Sequence, residues 1–205
     1  MYLPTHRLPA LMLALCAVAA CTSRNVPGPA ANAPAAACLP GERGYLRAQL
    51  RGAIDAELDW RGATLQCEGG ARPEGRGLRL SFLGPADARG RRLRLVFGVA
   101  AAPGLGLSHA VPTHVTVIVD GQKQLYATQG EDKCAVESLV QEPLAAATAA
   151  ARSAFVRLYR VAARGYCVDP AAALDGSARL YINRFDFAGL ARFEDNELHA
   201  SAARN

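Results

Sequence analysis

Residues 114–128, HVTVIVDGQKQLYAT, carry the clearest structural signal in the chain. Residues 115–119 form an apolar, β-branched run, residues 125–127 form a second apolar run, and Asp120-Gly121 lies between them. Asp and Gly tolerate the positive φ angles of a type I′ turn, so this pattern predicts a β-hairpin.

Residues 46–60, LRAQLRGAIDAELDW, alternate between apolar and polar side chains on the N-terminal side of that hairpin. A period of two is typical of a strand with one buried face, and Gly52 predicts a bend near its middle. Every fourth residue from Leu46 to Leu58 is also apolar, which is compatible with a helix. A helix of that phase would leave Trp60 off the apolar stripe, so we predict one bent strand.

Short runs of the same kind continue in both directions, separated by turns rich in Gly, Pro and Asp. The further predicted strands are 64–67, 78–83, 93–99, 114–119, 125–128, 134–140, 159–168 and 180–187. Eight or nine short strands without a βαβ rhythm predict an all-β fold, either an antiparallel sandwich or a barrel. We place this β domain at residues 38–193, with a flexible tail at 194–205. The alanine-rich residues 143–154 predict either one short helix or an exposed loop.

The first 20 residues have the organisation of a signal peptide. Arg7 supplies a positive charge, and an apolar run follows from Leu8 to Ala20. As a helix this run would be about 20 Å long, which is shorter than the ~30 Å hydrocarbon core of a membrane. We therefore expect a cleaved signal rather than a membrane span.

The run ends in Val18-Ala19-Ala20-Cys21, which resembles the lipobox of bacterial lipoproteins. In that family, signal peptidase II cleaves before the cysteine, the thiol is diacylated, and the new amine receives a third chain, usually palmitate. The resemblance implies a lipid on Cys21 and a membrane-anchored protein of the cell envelope. Thr22 replaces the Asp that retains enteric lipoproteins in the inner membrane, which favours the outer membrane and a domain facing the periplasm. Residues 17–19 also fit the general signal peptidase, which would produce a soluble secreted protein.

The cysteines support a lipoprotein, because two of the six would leave or be capped. Cys16 would leave with the signal peptide and Cys21 would carry lipid. The remaining four are Cys38, Cys67, Cys134 and Cys167. An even number in an oxidising compartment predicts two disulfides, and we favour pairing of sequence neighbours over the two other pairings. A zinc site is the weaker alternative, because no two of the four have C-x₂₋₄-C spacing.

The segment between the lipid site and the domain, residues 21–37, is rich in Pro and Ala and predicts a tether. The chain as a whole has 23 Lys and Arg residues against 18 Asp and Glu, a net charge of +5. Its basic residues are nearly all arginines, since only Lys123 and Lys133 are lysines, which is typical of a GC-rich genome. A dedicated anion-binding surface is the alternative explanation.

No phosphate loop, dinucleotide fingerprint, zinc-protease motif or nucleophile elbow occurs in the sequence. Asp55, Glu57 and Asp59 are candidate acid–base groups, about 6–7 Å apart on one face of a strand, although a solvated sheet face explains them equally well. His109 and His114 lack a third partner for a metal. We therefore predict no catalytic residue, no metal site and no cofactor.

These observations predict a non-enzymatic binding or scaffold protein of the cell envelope. Its expected partners are the membrane, through the lipid on Cys21, and an envelope protein or a cell-wall component. Aromatic residues make up 6% of the chain, too few for a base-stacking platform, so no nucleic-acid partner is expected. The alternative is an envelope hydrolase that uses Asp55, Glu57 or Asp59 near His114.

Overall fold

The computed structural model describes residues 38–39, 43–72, 77–130, 132–145 and 155–195, and these confirm the predicted all-β class. They form eleven β-strands that belong to one hydrogen-bonded sheet. The strands are β1 Tyr45–Gly52, β2 Ala56–Arg61, β3 Gln66–Ala71, β4 Leu78–Leu83, β5 Arg92–Val99, β6 Val111–Asp120, β7 Gln124–Ala127, β8 Cys134–Leu144, β9 Val156–Cys167, β10 Ala171–Ala173 and β11 Arg179–Glu194. A single 3₁₀ turn, Gly62–Thr64, follows β2.

The sheet closes on itself. Strands β3, β4, β5 and β6 pair in sequence order, and β6 continues through β8 and β9 to β11. The ring is completed where β11 returns to β3 through one parallel pair, Arg192 with Gly70. A second path from β6 to β11 runs through β7 and β10. Of the two predicted architectures, the pairing therefore gives the barrel-like one.

Strand β11 is the longest strand, with 16 residues, and both of its edges are shared between partners. One edge pairs first with β10 and then with β9, and the other pairs first with β1 and then with β3. β1 leaves this second edge after Ala188, and β3 reaches it only at Arg192. Between Ala188 and Arg192, this edge of β11 therefore pairs with neither β1 nor β3. We call this gap the seam.

The Cys38–Cys67 disulfide lies at this seam. Leu190 donates its backbone N–H to Cys67 Sγ at 3.3 Å, and Cys38 Sγ lies 3.7 Å from the carbonyl oxygen of Ala188. β3 approaches β11 closely because it carries Gly69, where an added Cβ would lie 2.9 Å from the carbonyl oxygen of Leu190. The disulfide therefore covers the edge of β11 that faces β1 and β3, between Ala188 and Arg192, where neither of these strands pairs with it.

The second disulfide joins Cys134 to Cys167, which are directly opposite each other in the β8–β9 ladder. Both bridges join sequence neighbours, as predicted.

The interior of the ring is filled by side chains. Alternate residues of each strand point inward, and its centre is an aromatic cluster of Phe82, Phe97, Phe185 and Phe187. The rings of Phe97 and Phe187 have centroids 4.6 Å apart, and Phe185 and Phe187 are buried as the alternation predicts.

The prediction of one bent strand over residues 46–60 is wrong, because the chain reverses there into the β1–β2 hairpin. Gly52 adopts a φ of 100°, and its N–H donates to the Asp55 carboxylate at 3.1 Å, so residues 53–55 form the turn. Leu50 pairs with Ala56 across it. The turn leaves the alternation of β2 in step with that of β1, so the same apolar side chains face inward as in the predicted single strand.

The predicted β6–β7 hairpin is confirmed, and Gly121 has the expected positive φ of 74°. Splitting residues 46–60 and adding the three-residue β10 raises the number of strands above the predicted eight or nine. Of the predicted helix at 143–154, Pro143 and Leu144 instead end β8, and residues 146–154 lie outside the described residues.

The signal peptide, Cys21 and the tether also lie outside the described residues, as does the tail beyond Asp195. Within the described ranges, no helix has the length and apolar character needed to cross a membrane.

Candidate functional site

An open cleft of about 890 Å³ lies on the outer face of strands β1, β2, β8, β9 and β11. We call it the outer cleft. Its charged lining residues are Arg47, Glu57, Glu137, Arg164, Arg184 and Asp186. The cleft is thus lined by both signs of charge, and its volume is in the range of small-molecule and peptide sites.

Two β-bulges place residues in the outer cleft. In β11, Ala48 of β1 pairs with Phe185 but Leu50 pairs with Ile182, so one extra residue is accommodated at Asn183-Arg184. In β8, the pairing to β9 shifts between Val136 and Ser138, and Glu137 is the extra residue. A bulge disrupts the ladder locally and redirects side chains, and bulges are frequent beside binding and active sites.

A row of alternating charge crosses four strands along the outer cleft. Asp59 of β2, Arg47 of β1, Asp186 of β11 and Arg164 of β9 are successive cross-strand partners. Arg47 lies 3.5 Å from the Asp59 carboxylate and 3.8 Å from the Asp186 carboxylate. Tyr45 donates its hydroxyl to Asp186 at 2.8 Å. The row stabilises the outer face and leaves Asp186 already engaged by two partners.

The hydroxyl of Tyr45 remains protonated beside this row. Partial burial raises the pKa of Tyr45, and the hydrogen bond that it donates to Asp186 raises it further. At neutral pH Tyr45 therefore acts as a hydrogen-bond donor to Asp186.

Of the three carboxylates predicted as candidate acids or bases, Glu57 and Asp59 are held in ion pairs, and Asp55 accepts a hydrogen bond from the backbone N–H of Gly52 at 3.1 Å. Arg61 donates to both oxygens of Asp59, at 2.7 and 2.9 Å, and Glu57 accepts from Arg51 and Gln49, each at 3.1 Å. The hydrogen bond from Arg61 lowers the pKa of Asp59, so this group stays ionised near neutral pH. Asp59 is therefore not suited to donate a proton.

Three charged side chains of the outer cleft make no ion pair with any described residue, namely Arg164, Arg184 and Glu137. All three are exposed. In the β9–β11 ladder, Arg184 of β11 lies opposite Tyr166 of β9, and Asp186 of β11 lies opposite Arg164 of β9. Arg184 and Arg164 are therefore diagonal neighbours on one face of the sheet. Such neighbours are roughly 7–8 Å apart, close enough for both to contact one ligand group.

The histidines lie away from the predicted carboxylates. His114 is in β6 opposite Gly98 of β5, and β6 pairs with neither β1 nor β2. The Nδ1 atom of His109 is 3.0 Å from the hydroxyl of Ser108 in the β5–β6 loop. Among the residues that the structure describes, no three His, Cys, Asp or Glu side chains are grouped to hold a metal. The hydrolase alternative requires His114 close to Asp55, Glu57 or Asp59, and the strand pairing does not place it there.

A smaller cavity of about 270 Å³ lies between β2 and the β4–β5 turn. Its apolar wall includes Ile54, Trp60 and Leu93, and the Trp60 ring packs directly on the backbone of Gly84. Its rim carries Asp87 and Arg91, which form an ion pair at 2.9 Å. The apolar groups here belong to the packing of the β1–β2 hairpin against the ring.

The sequence predictions did not identify Glu137, Arg164 or Arg184. A local signal for the two bulges exists, because Glu137-Ser138 and Asn183-Arg184 each place two polar residues together inside an alternating strand. Such a pair breaks the period of two and marks a position where one residue is extra. Which strands meet at these positions depends on long-range pairing and has no local signal.

Comparisons of the sequence with protein-family models and curated proteins, and of the fold with solved structures, find no match. The function must therefore be argued from the chemistry of the site.

Proposed function

We propose that the protein is a lipid-anchored lipoprotein of the cell envelope, facing the periplasm from the outer membrane, that binds a partner through the outer cleft without catalysing a reaction. The observation that carries the binding role is the presence in the outer cleft of three exposed charged groups, Arg164, Arg184 and Glu137, that make no ion pair with a described residue. Both bulges contribute residues to this cavity.

Binding is favoured over hydrolysis by the state of the carboxylates. Glu57 and Asp59 are committed to arginines, and the lowered pKa of Asp59 keeps it ionised. General acid catalysis requires a group whose pKa is near the working pH. An envelope hydrolase remains the alternative, but no observation at the outer cleft favours it.

The lipid anchor is proposed from the Val18-Ala19-Ala20-Cys21 motif. The two disulfides support export, because such bonds form and persist in oxidising compartments. Residues 22–37 follow the lipid site and would hold the domain up to about 50 Å from the membrane if extended.

Replacing Cys21 tests the anchor. Cys21→Ala should release the protein from the membrane fraction or leave it uncleaved, as seen by fractionation and by the mass of the chain. Ser23→Ala is the matched control and should leave both processing and fractionation unchanged. A processed Cys21→Ala protein that still sediments with the membrane would contradict the lipid anchor.

Capture from the cell envelope tests the binding role. A partner recovered with the tagged wild-type protein should be lost with Arg184→Ala and retained with Arg192→Ala, an exposed arginine further along β11. Turnover of a peptidoglycan or ester substrate that is abolished by Asp59→Ala would instead establish the hydrolase alternative.

A further inference from the structure

We infer that the outer cleft binds a short peptide-like ligand that carries both a free carboxylate and a free ammonium group. The carboxylate would be bound by Arg184 and Arg164, and the ammonium group by Glu137. This inference rests on the proposed binding function, and it names the chemical class of the ligand.

Arg184 is the principal anion-binding group of the outer cleft. It lies in the β11 bulge, is exposed, and makes no ion pair within the described part of the chain. An arginine side chain offers a planar fork of N–H donors that matches the two oxygens of a carboxylate. Its cross-strand neighbour Tyr166 adds a ring surface beside the bound group.

Arg164 supplies a second cation on the diagonal from Arg184. Its direct neighbour across the strands is Asp186, but that carboxylate already accepts from Tyr45 at 2.8 Å and lies 3.8 Å from Arg47. Arg164 is thus available to an incoming anion, and two diagonal arginines can contact one carboxylate from two sides.

Glu137 provides the opposite charge at the other side of Arg164. It is the extra residue of the β8 bulge, between the pairs that join β8 to Gly165 and Arg164. It is exposed and has no ion pair with a described residue. A free carboxylate in this position favours a ligand group that donates hydrogen bonds, and an ammonium group donates three.

The mixed charge of the lining decides between a zwitterion and a phosphate. Three acidic side chains, Glu57, Glu137 and Asp186, share the outer cleft with its arginines. Glu57 and Asp186 are paired within the protein, and Glu137 is the carboxylate without an ion pair to a described residue. Glu137 would repel a dianionic phosphate, whereas a ligand with balanced charge meets a favourable partner at each end. A volume of about 890 Å³ accommodates a short peptide.

NMR titration of the purified lipid-bearing protein in detergent micelles tests this inference with four probes. Triglycine carries both charges, N-acetyl-triglycine carries only the carboxylate, triglycine amide carries only the ammonium group, and inorganic phosphate carries neither peptide nor ammonium. Triglycine should bind with the lowest dissociation constant, N-acetyl-triglycine more weakly, and the other two most weakly.

Variants assign each charge to a residue. Arg184→Ala and Arg164→Ala should each weaken triglycine binding by about tenfold, because each removes a charge-assisted contact. Arg184→Lys should recover part of the loss, since it keeps the charge but not the planar fork. Glu137→Gln should weaken triglycine binding and leave N-acetyl-triglycine unchanged. The Arg192→Ala control should bind triglycine like the wild type, and urea unfolding should show that all variants remain folded.

Several outcomes would overturn the inference. Tighter binding of inorganic phosphate than of triglycine would assign the outer cleft to phosphate-bearing ligands, and equal binding of triglycine and its amide would exclude the carboxylate contact. An absence of binding by all probes would reject the ligand class. If envelope capture still depended on Arg184 in that case, the proposed binding function would stand, and if capture were unchanged by Arg184→Ala, both would fail.

Discussion

Removing the Cys38–Cys67 disulfide should destabilise the fold more than removing Cys134–Cys167, although the two bridges close loops of similar length. Their sequence separations are 29 and 33 residues. The loss of loop-closure entropy from the unfolded chain is about 3.7 kcal/mol for a loop of either length. On that ground alone, the two double variants would have equal free energies of unfolding.

The two disulfides differ in the backbone groups that surround them, and this makes the two free energies of unfolding unequal. Cys67 Sγ accepts the Leu190 N–H at the seam in β11, and its removal leaves that part-buried donor unpaired, which costs roughly 1–3 kcal/mol. Cys134 and Cys167 lie in a ladder that pairs β8 with β9 on to Leu144, so the backbone there keeps its partners. We expect the Cys38→Ala, Cys67→Ala variant to lose about 5 kcal/mol and the other double variant about 3.7 kcal/mol.

Urea unfolding followed by the fluorescence of Trp60, the one tryptophan of the chain, measures both values. A further variant, Cys38→Ala with Cys67→Ser, restores an acceptor for Leu190 and should recover part of the additional loss. Equal free energies of unfolding for the two alanine double variants, or a larger loss for Cys134→Ala with Cys167→Ala, would refute the argument from the seam.

Two other perturbations have expected outcomes. An added Cβ at Gly84 would lie 2.3 Å from the Trp60 ring, so Gly84→Ala should shift the fluorescence of Trp60 and cost about 1–3 kcal/mol, whereas Gly106→Ala, with its nearest neighbour at 3.8 Å, should change neither. The hydrogen bond from Arg61 lowers the pKa of Asp59 in the folded protein below its ordinary value of 3.8. The ionised carboxyl therefore stabilises the fold at pH values above 3.8, and this stabilisation is lost as the pH falls through the lower pKa of the folded state. Asp59→Asn should therefore lower the urea midpoint slightly at pH 6 and leave it unchanged at pH 2, and an equal decrease at both values would contradict a charge-based effect.

Much of the fold could be predicted because its signals are local. The strand alternation indicates one buried face, and Phe185 and Phe187, which alternate with Asp186, are both buried although β11 extends beyond the predicted strand 180–187. Asp120-Gly121 predicts its hairpin because only a few residue types tolerate the positive φ that Gly121 adopts. The preference for pairing sequence neighbours is confirmed by the bridges Cys38–Cys67 and Cys134–Cys167.

The rest could not be predicted because it depends on which distant strands meet. The turn at residues 53–55 keeps the parity of the alternation, so a bent strand and a hairpin give the same pattern. The outer cleft requires Glu137 of β8, Arg164 of β9 and Arg184 of β11 to be adjacent, which no spacing along the chain indicates. Conversely, Glu57 and His114 are candidate site residues in the sequence, but β2 and β6, the strands that carry them, do not pair with each other.

Among the described strands, β11 comes last, and the strands that pair with it all precede it in the chain. Its partners include β1, the first strand, and a contact such as Tyr45 with Asp186 spans 141 residues. Contacts of such sequence separation form slowly, because a long loop must close before they provide any stabilisation. Until residues 179–194 have been synthesised, β1, β3 and β9 each lack the neighbour that β11 supplies. The nascent chain therefore passes through a long period with unpaired strand edges, during which it depends on being kept from aggregation and from proteases.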